Sequence, residues 1–380
     1  MKKFFSPFVL ILTALIFSVY YYAKIRMANT SLESLMLAIP FLLIWLTPII
    51  YWIGNRDSEN KIDHWVHLLS YLSMGFVNFL IIFLLATDAL LLITDLSQQL
   101  IVHDFILRHD GKIVLTFSIL ALLIGHSNAK FGPNLKKIQI KFPNLHPDLV
   151  GFKIIQISDL HIGPTLKKDY VQKVVNQTIA LKPDAIVLTG DIVDGPLEKL
   201  KVDASPLIEL GKMGAYFSLG NHDYYSGYQE WLNFFRESGF ITLINSHDII
   251  TKGHARLMMA GVTDPAAKIF QHEGPSPEKA IKNSIHSKND NADFKILLAH
   301  NPKVASLASA VGFHLQLSGH THAGQFFPWT LVVKLVHSPH YWGLSKENEM
   351  QVYVSAGTGT WGPPIRFGSE PELTLIELTS

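Results

Sequence analysis

The chain has 380 residues, a formal net charge of +1 and no cysteine. The length exceeds that of one typical domain, so we expect two or three domains. The near-neutral charge gives no electrostatic reason to expect a nucleic-acid partner. Disulfides and thiolate metal sites are excluded, so any metal ligands must be nitrogen or oxygen atoms.

The amino-terminal third, residues 1–130, is predicted to be a transmembrane helical region with about four spans. A bilayer-spanning helix needs about 20 apolar residues, and the first three apolar stretches meet that length. The fourth has about a dozen strictly apolar residues and is predicted to cross the bilayer, to lie in its interface or to be buried under the other helices. The four stretches are residues 4–23, 35–53, 66–87 and 113–125.

The positions of lysine and arginine predict which side of the membrane holds the rest of the chain, because loops rich in these residues stay in the cytoplasm. With four spans and a cytoplasmic amino terminus, most of them lie inside, among them Lys2, Lys3, Arg56 and Lys130. We therefore expect an integral, multi-pass protein of the inner or cell membrane with a cytoplasmic carboxyl-terminal domain. One span fewer would reverse the side.

A turn-rich segment at residues 131–150 is predicted to be a linker, and its alternating stretch at 136–142 indicates an exposed edge strand. The domain at residues 151–380 is long enough for its own core. Apolar runs alternate there with helical patterns, which predicts a β-sandwich flanked by helices. The expected fold class is thus an α-helical transmembrane region followed by a four-layer α/β domain.

Five apolar runs in this domain end at metal-binding side chains. Each run has the length and aliphatic content of a buried strand, and α/β sheets bind ligands beyond the carboxyl ends of their strands. One ion cannot use all the candidates and keep a position for substrate, whereas two ions sharing a carboxylate can. We therefore expect two divalent ions (Mn, Fe, Zn or Mg), an arrangement suited to displacement at phosphorus. The candidate ligands are Asp159, His161, Asp191, Asn221, His300, His320 and His322.

The order of these blocks resembles the signature of the calcineurin-like metallophosphoesterases, which reads D-x-H, G-D, G-N-H-D/E, a lone histidine and G-H-x-H. The resemblance covers about residues 151–380. The stretches at 154–163, 319–325 and 363–375 are similar to the membrane-attached, YkuE-like branch. Relatives there include hydrolases of lipid-linked substrates, among them UDP-2,3-diacylglucosamine pyrophosphatases.

The resemblance implies a role for each motif residue. His222 would protonate the leaving oxygen or stabilise charge on the transferring phosphoryl group, and Asp223 would orient His222. Arg366, in a Pro/Gly-rich loop, would hold a substrate phosphate or, equally, form a structural salt bridge. The residues that would hold metal are Asp159, His161 and His322 for one ion, Asn221, His300 and His320 for the other, and Asp191 between them.

The predicted function is a membrane-anchored phosphohydrolase that cleaves a phosphodiester, pyrophosphate or phosphomonoester by attack of a metal-activated hydroxide. Anchoring by several helices favours a lipid-linked substrate at the bilayer surface. The alternative is a non-catalytic sensor or scaffold that binds phosphate ligands. A transporter is disfavoured because the spans are expected to lack paired charges, with Asp88 at a membrane boundary. The aromatic-rich segment at 326–342 is expected either to join the core or to contact lipid.

Overall fold

The computed structural model describes residues 7–53, 61–286 and 291–380. The chain divides into two compact units. One comprises Met1–Ser127 and Gly362–Ile365, and the other comprises Asn128–Trp361 and Arg366–Ser380. Lys2, Lys3 and Arg56, which enter the predicted orientation, lie outside the described residues.

In the described part of the amino-terminal region, three stretches are long and apolar enough to cross a membrane: Val9–Met27, Ile62–Leu96 and Leu100–Lys130. The predicted stretch at 113–125 lies inside the third of these, a helix of 31 residues. The region is built from helices α1 Pro7–Met27, α2 Ser31–Leu43, α3 Leu46–Ile53, α4 Lys61–Leu96 and α5 Leu100–Lys130.

The predicted span at residues 35–53 forms two short helices, α2 and α3, and not one long helix. Pro48 has no N–H to donate to the carbonyl group of Ile44, as a continuous helix would require, so the helix is interrupted there. The hydroxyl of Ser70 on α4 donates to that carbonyl group at 2.8 Å instead. The stretch is therefore not among the three candidate spans.

Charged side chains meet between α1, α4 and α5. The guanidinium of Arg26 lies 2.8 Å from the carboxylate of Asp88 and 2.5 Å from that of Asp110. The hydroxyl of Tyr22 also donates to Asp88. The prediction that this region lacks paired charges is therefore wrong, because apolar helices hold carboxylates most cheaply when a cation is beside them.

The second unit contains two six-stranded sheets. Their strands are β1 Asn134–Lys141, β2 Lys153–Ile157, β3 Ala185–Thr189, β4 Tyr216–Ser218, β5 Ile241–Thr242, β6 Ser246–Lys252, β7 Ala255–Gly261, β8 Phe294–Leu298, β9 Leu315–Ser318, β10 Gly343–Glu347, β11 Met350–Val354 and β12 Glu372–Thr379. The first sheet has the order β1-β12-β2-β3-β4-β5, and the second has the order β10-β11-β9-β8-β7-β6. The helices of this unit are α6 Lys168–Ala180, α7 Leu197–Ala204, α8 Ile208–Gly211, α9 Asn221–Tyr225, α10 Tyr228–Glu237, α11 Pro277–Lys282, α12 Ala305–Ala310 and α13 Trp329–His337.

Three apolar layers hold these elements together. Side chains of both sheets, such as Val187 and Ile296, pack between the sheets. The outer face of the first sheet packs on helices that contribute Val174 and Trp231. The outer face of the second packs on α11 and α12 through residues such as Ala305. This helix–sheet–sheet–helix arrangement confirms the predicted four-layer α/β fold.

The predicted edge strand is β1, which pairs in parallel with β12 at the margin of the first sheet. The segment expected to be a linker therefore contributes a strand to the second unit. The strands β2, β3 and β4 are mutually parallel, as are β7, β8 and β9. The carboxyl ends of neighbouring parallel strands lie at the same edge of each sheet. The predicted ligands come directly after these strand ends, so they lie at that edge.

Candidate metal centre

The strand ends of both sheets supply the predicted ligands. Asp159 and Asp191 follow β2 and β3, and Asn221 follows β4 as the first residue of α9. In the second sheet, His300 follows β8, while His320 and His322 follow β9. Neighbouring parallel strands place these positions side by side, so residues far apart in sequence converge at one point.

The structure brings all seven predicted ligands together. Asn221 joins them through its side-chain oxygen, 3.0 Å from Nδ1 of His320. The other candidates form three clusters, in each of which the ligand atoms lie within 4.8 Å of one another: Asp159, His161 and His322; His161, Asp191 and His222; and Asp191, His300 and His320. Asp191 belongs to two of these clusters, as a ligand shared by two ions would.

Two histidines have their ring nitrogens fixed in the way that metal ligands require. Nδ1 of His300 donates to the carbonyl oxygen of Thr189 at 2.9 Å, and Nδ1 of His161 donates to Oδ1 of Asp194 at 2.8 Å. Because Nδ1 donates outward, Nε2 is the ring atom directed into the centre, and it offers a lone pair to a metal ion once its proton is lost. Nε2 of His300 lies 3.1 Å from Oδ2 of Asp191, and Nε2 of His161 lies 2.9 Å from Nε2 of His322. Converging nitrogen and oxygen atoms of this kind fit divalent cations.

The backbone of the centre is strained. Asp159, His161, Asp191, His320 and His322 all have φ between +50° and +74°, a region that costs free energy for residues other than glycine. The glycine before a ligand block gives the space these turns need. A Cβ atom on Gly220 would lie 2.2 Å from Oδ1 of Asp191, and one on Gly319 would lie 2.0 Å from Oδ2 of Asp159.

The charges of the centre attract cations. Burial opposes protonation of His161, but the carboxylates of Asp194 and Asp191 outweigh it and raise its pKa to about 9. Burial likewise opposes ionisation of Asp194, yet the charge of His161 lowers the pKa of Asp194 to about 2. Burial and the charge of His300 lower the pKa of His320 to about 3, so His320 is neutral and able to bind metal. Burial opposes protonation of His300 too, but the carboxylate of Asp191 outweighs it and raises the pKa of His300 well above its usual value. Protons on His161 and His300 therefore take the place of metal ions when no metal is bound.

His222 belongs to the second of these clusters, and its side chain is partly exposed. Its backbone N–H donates to Oδ1 of Asp191 at 2.7 Å, and its ring centroid lies 4.8 Å from that of His161. Nδ1 of His222 lies 2.8 Å from Oδ1 of Asp194. The carboxylate of Asp194 thus contacts the Nδ1 atoms of both His161 and His222. The sequence reasoning missed Asp194, although its position three residues after Asp191 was a usable signal.

The prediction that Asp223 orients His222 is wrong in this structure, because Asp194 occupies that position. Asp223 is fully buried and accepts hydrogen bonds from the backbone N–H groups of Gly220, Asp191 and Ile192 at 2.8, 2.9 and 2.9 Å. It therefore fastens the turn after β3 to the turn after β4. The physical reason is the position of Asp223 in the first turn of α9, where a carboxylate is directed back towards backbone N–H groups that have no partner within the helix.

The prediction that Arg366 holds a substrate phosphate is also wrong in this structure. Arg366 is fully buried, so a ligand from solvent cannot reach its guanidinium. Nη1 donates to the carbonyl oxygen of His322 at 2.9 Å, and Nη2 donates to that of Gly359 at 2.5 Å. The predicted alternative, a salt bridge, is replaced by these backbone contacts, through which Arg366 supports the loop that carries His322.

Two exposed aromatic residues beside His222 were also missed by the sequence reasoning. The ring centroids of Tyr225 and Trp361 lie 5.5 and 5.8 Å from that of His222, and each side chain is 56% exposed. Tyr225 ends α9, three residues after His222, so helical spacing could have indicated it. Trp361 comes from a loop far away in sequence, and no local pattern could have indicated its contact.

Comparison with known proteins places the chain in a family. A model of the calcineurin-like phosphoesterase family matches residues 152–324. A transmembrane protein with metallophosphoesterase domain from Danio rerio is 32% identical over 335 residues, covering 85% of this chain and 75% of that protein. A metallophosphoesterase of Helicobacter pylori is 36% identical over 276 residues, covering 71% and 72% of the two chains. The metallophosphoesterase YkuE of Bacillus subtilis is 29% identical over 240 residues, covering 60% and 80%.

The chain belongs to the calcineurin-like metallophosphoesterases, in the YkuE-like branch, as the sequence predicted. It is a metal-dependent phosphoesterase that uses a pair of divalent ions, and the ligand clusters described above offer candidate positions for them. The match to the Danio rerio protein covers more of the chain than the second unit alone, so it includes part of the helical region. The candidate spans and the names of the relatives associate the protein with a membrane.

Proposed function

We propose that this protein is a multi-pass membrane phosphohydrolase whose binuclear centre cleaves a phosphodiester, pyrophosphate or phosphomonoester of a lipid-linked substrate. The observation that carries the proposal is the convergence of seven ligands around Asp191, with His222 beside them. The ligands divide into two sets that share Asp191: Asp159, His161 and His322 for one ion, and Asn221, His300 and His320 for the other.

The proposed hydrolysis is derived from the side-chain atoms that face the metal centre. When bound, the two ions draw charge from the phosphate oxygens and make the attacking water more acidic. The shared carboxylate of Asp191 keeps the two ligand sets close together. His222 directs Nε2 away from Asp194, because Asp194 accepts from Nδ1 on the other side of the ring. Nε2 is therefore the atom that passes a proton to the leaving oxygen.

The lipid-linked part of the proposal rests on the helical region. Three helices in the described ranges are long enough to span a bilayer, whereas a single helix suffices to tether a soluble enzyme. Trp361 and Tyr225 add an exposed aromatic rim to the side of the centre where His222 lies. Aromatic side chains of this kind favour an amphiphilic ligand over a free phosphate ester. The contacts of the described residues do not select a particular headgroup, such as a UDP-2,3-diacylglucosamine type.

A cytoplasmic location of the second unit is also part of the proposal. With three spans, α1, α4 and α5, that unit lies on the same side as the connection between α1 and α4. The lysines and arginines on that side outnumber those on the other, which favours the cytoplasm. The amino terminus would then lie outside. The residues on the side of the second unit are Lys24, Arg26, Arg56, Lys61, Lys130, Lys136, Lys137 and Lys141, and those on the other side are Lys2, Lys3, Arg108 and Lys112.

Hydrolysis by the full chain tests the proposal. The purified protein in detergent, loaded with Mn²⁺, should hydrolyse bis-p-nitrophenyl phosphate or p-nitrophenyl phosphate. Asp191→Ala should lose metal and activity together. His222→Ala should keep its metal, while kcat falls by about 10²-fold or more.

The same measurement decides against the alternative of a non-catalytic sensor. A sensor would bind Mn²⁺ and inorganic phosphate without turnover of either ester. Loss of metal from His222→Ala would contradict the role given to His222 and would make it a ligand.

A further inference from the structure

The helix α13, directly after the last ligand block, presents an unusually exposed apolar face. None of its nine residues is buried. Leu335 is 85% exposed, and the apolar side chains around it are at least 43% exposed: Trp329, Leu331, Val332 and Val336. A contiguous apolar patch of this kind on a folded unit marks an interaction surface.

The opposite face of α13 is attached to the metal centre. The ring of His337 at its end lies 5.8 Å from that of His320. The hydroxyl of Thr321, between the two histidines of the last block, donates to the carbonyl oxygen of Tyr341 at 2.7 Å. A Cβ atom on Gly324 would lie 2.4 Å from Cα of Thr330, so the start of the helix is packed closely on the ligand loop. Whatever covers the apolar face of α13 therefore lies beside the centre.

The residues at the border of this face are those that favour a membrane–water interface. Trp329 begins the helix, and Tyr341 and Trp342 follow it. The ammonium of Lys334 lies 5.9 Å from the ring centroid of Tyr341. Tryptophan, tyrosine and lysine collect at the level of lipid headgroups, where an apolar body and a polar end are both satisfied. The composition of the face therefore fits a bilayer.

The chain itself keeps a bilayer within reach of α13. The last candidate span ends at Lys130, and β1 begins at Asn134. The segment between them reaches at most about 14 Å when fully extended. The ammonium of Lys136, on β1, lies 5.9 Å from the ring centroid of Trp342. β1, the first strand after that candidate span, thus contacts Trp342, which follows α13, and the short connection keeps the local concentration of lipid near Trp342 high.

We propose that the apolar face of α13 inserts into the headgroup boundary of the bilayer and seats the metal centre against the lipid surface. This inference rests on the proposed phosphoesterase function and narrows its substrate to a phosphate ester of an amphiphile whose apolar part stays in the bilayer. Burial of the side chains of Leu335 and Val336 supplies the binding free energy, and Lys334 favours anionic lipids.

Site-specific fluorescence in the reconstituted full chain tests the membrane contact directly. The chain has no cysteine, so Leu335→Cys gives one thiol, which is labelled with bimane in vesicles of phosphatidylcholine and phosphatidylglycerol. Lipid-borne nitroxides should quench this label, and aqueous iodide should quench it weakly. The control is Val202→Cys, an apolar position on α7 that is 69% exposed and should show the reverse.

Iodide quenching of the Leu335→Cys label as strong as that at position 202 would overturn the proposal. A label protected from both quenchers would also overturn it, because protein, from a second copy or from the helices of the same chain, would then cover the face.

Activity separates this inference from the proposed function. A Leu335→Asp, Val336→Asp variant should hydrolyse water-soluble bis-p-nitrophenyl phosphate at the unaltered rate. Its rate on hexadecyl p-nitrophenyl phosphate embedded in vesicles should fall by about tenfold or more. Equal rates of variant and parent on the embedded ester would contradict the membrane contact. Failure of the parent on both esters would contradict the proposed function, and the quenching experiment would still decide on the contact.

Discussion

At the scale of single residues, one carboxylate contacts both a candidate metal ligand and the proposed proton donor. Oδ1 of Asp194 lies 2.8 Å from the Nδ1 atoms of both His161 and His222. A carboxylate in this position fixes which ring nitrogen carries the proton and which way the ring faces. Movement of Asp194 would therefore disturb a ligand of the centre and the proposed proton donor at once.

Asp194→Asn should lower kcat by about tenfold to a hundredfold while a smaller part of the metal is lost. The loss of kcat should be larger for phenyl phosphate esters than for p-nitrophenyl esters, because the poorer leaving group depends more on a proton from His222. Metal content and kcat measured on the same preparation give both quantities. Asp203→Asn, which changes a partly buried carboxylate 3.3 Å from Lys167, is the control. An equal loss for both leaving groups would separate Asp194 from proton transfer.

Metal binding should release protons at neutral pH. The pKa of His161 in the metal-free protein is raised to about 9, so the ring is protonated at pH 7.5, whereas a metal ligand must be neutral. The release should fade as the pH rises through 9, where the ring is already neutral. Calorimetric titration with Mn²⁺ in buffers of different ionisation enthalpy measures it. An apparent enthalpy independent of the buffer at pH 7.5 would contradict the protonation assigned to His161.

At the scale of elements, the geometry of the metal centre depends on the close approach of the turn after β3 to the turn after β4. Gly220→Ala should remove the metal centre, because the added Cβ would lie 2.2 Å from Oδ1 and 2.5 Å from the backbone nitrogen of Asp191. Metal content and thermal unfolding of the variant check this. Gly111→Ala, whose Cβ would meet nothing closer than 3.7 Å, is the matched control. Full metal occupancy in Gly220→Ala would mean that the turns can separate without loss of the site.

The same elements show how far sequence alone reaches. The ligands were predictable because each follows a strand of recognisable apolar pattern, and parallel strands bring such positions together. The spacing of Asp194 after Asp191 was a signal for its presence near the centre, but its contacts with both histidines and the burial of Arg366 were not predictable, because they depend on loops that pack across the fold. The break before Pro48 has a local cause, yet the apolar composition of residues 35–53 concealed it. The ion pair of Asp88 was not predicted, because its partner Arg26 belongs to another helix and the contact has no local signal in the sequence.

At the scale of the whole molecule, the number of spans decides which side of the membrane each connection faces. Three spans, with the second unit in the cytoplasm, place the loop after α1 inside and the loop between α4 and α5 outside. A membrane-impermeant maleimide added to intact cells should therefore label Gln99→Cys and leave Asn29→Cys and Lys137→Cys unlabelled until the cells are permeabilised. Labelling of Lys137→Cys in intact cells would put the second unit outside, and labelling of Asn29→Cys would restore a fourth crossing.

The charges of the centre indicate that activity requires both metal ions. Buried carboxylates lie in it, and their charge is balanced by protonated histidines or by bound cations. The two proposed ligand sets share Asp191, so both ions are expected to act on the same substrate phosphate. Activity should accordingly follow the number of bound ions and not merely the presence of metal.

The number of ions that activity requires is measured by titration of the metal-free full chain with Mn²⁺, with bound metal and hydrolysis of bis-p-nitrophenyl phosphate recorded at each point. Hydrolysis should rise with occupancy and reach its limit at two ions per chain. Full activity at one ion per chain, or no activity with two ions bound, would contradict this expectation.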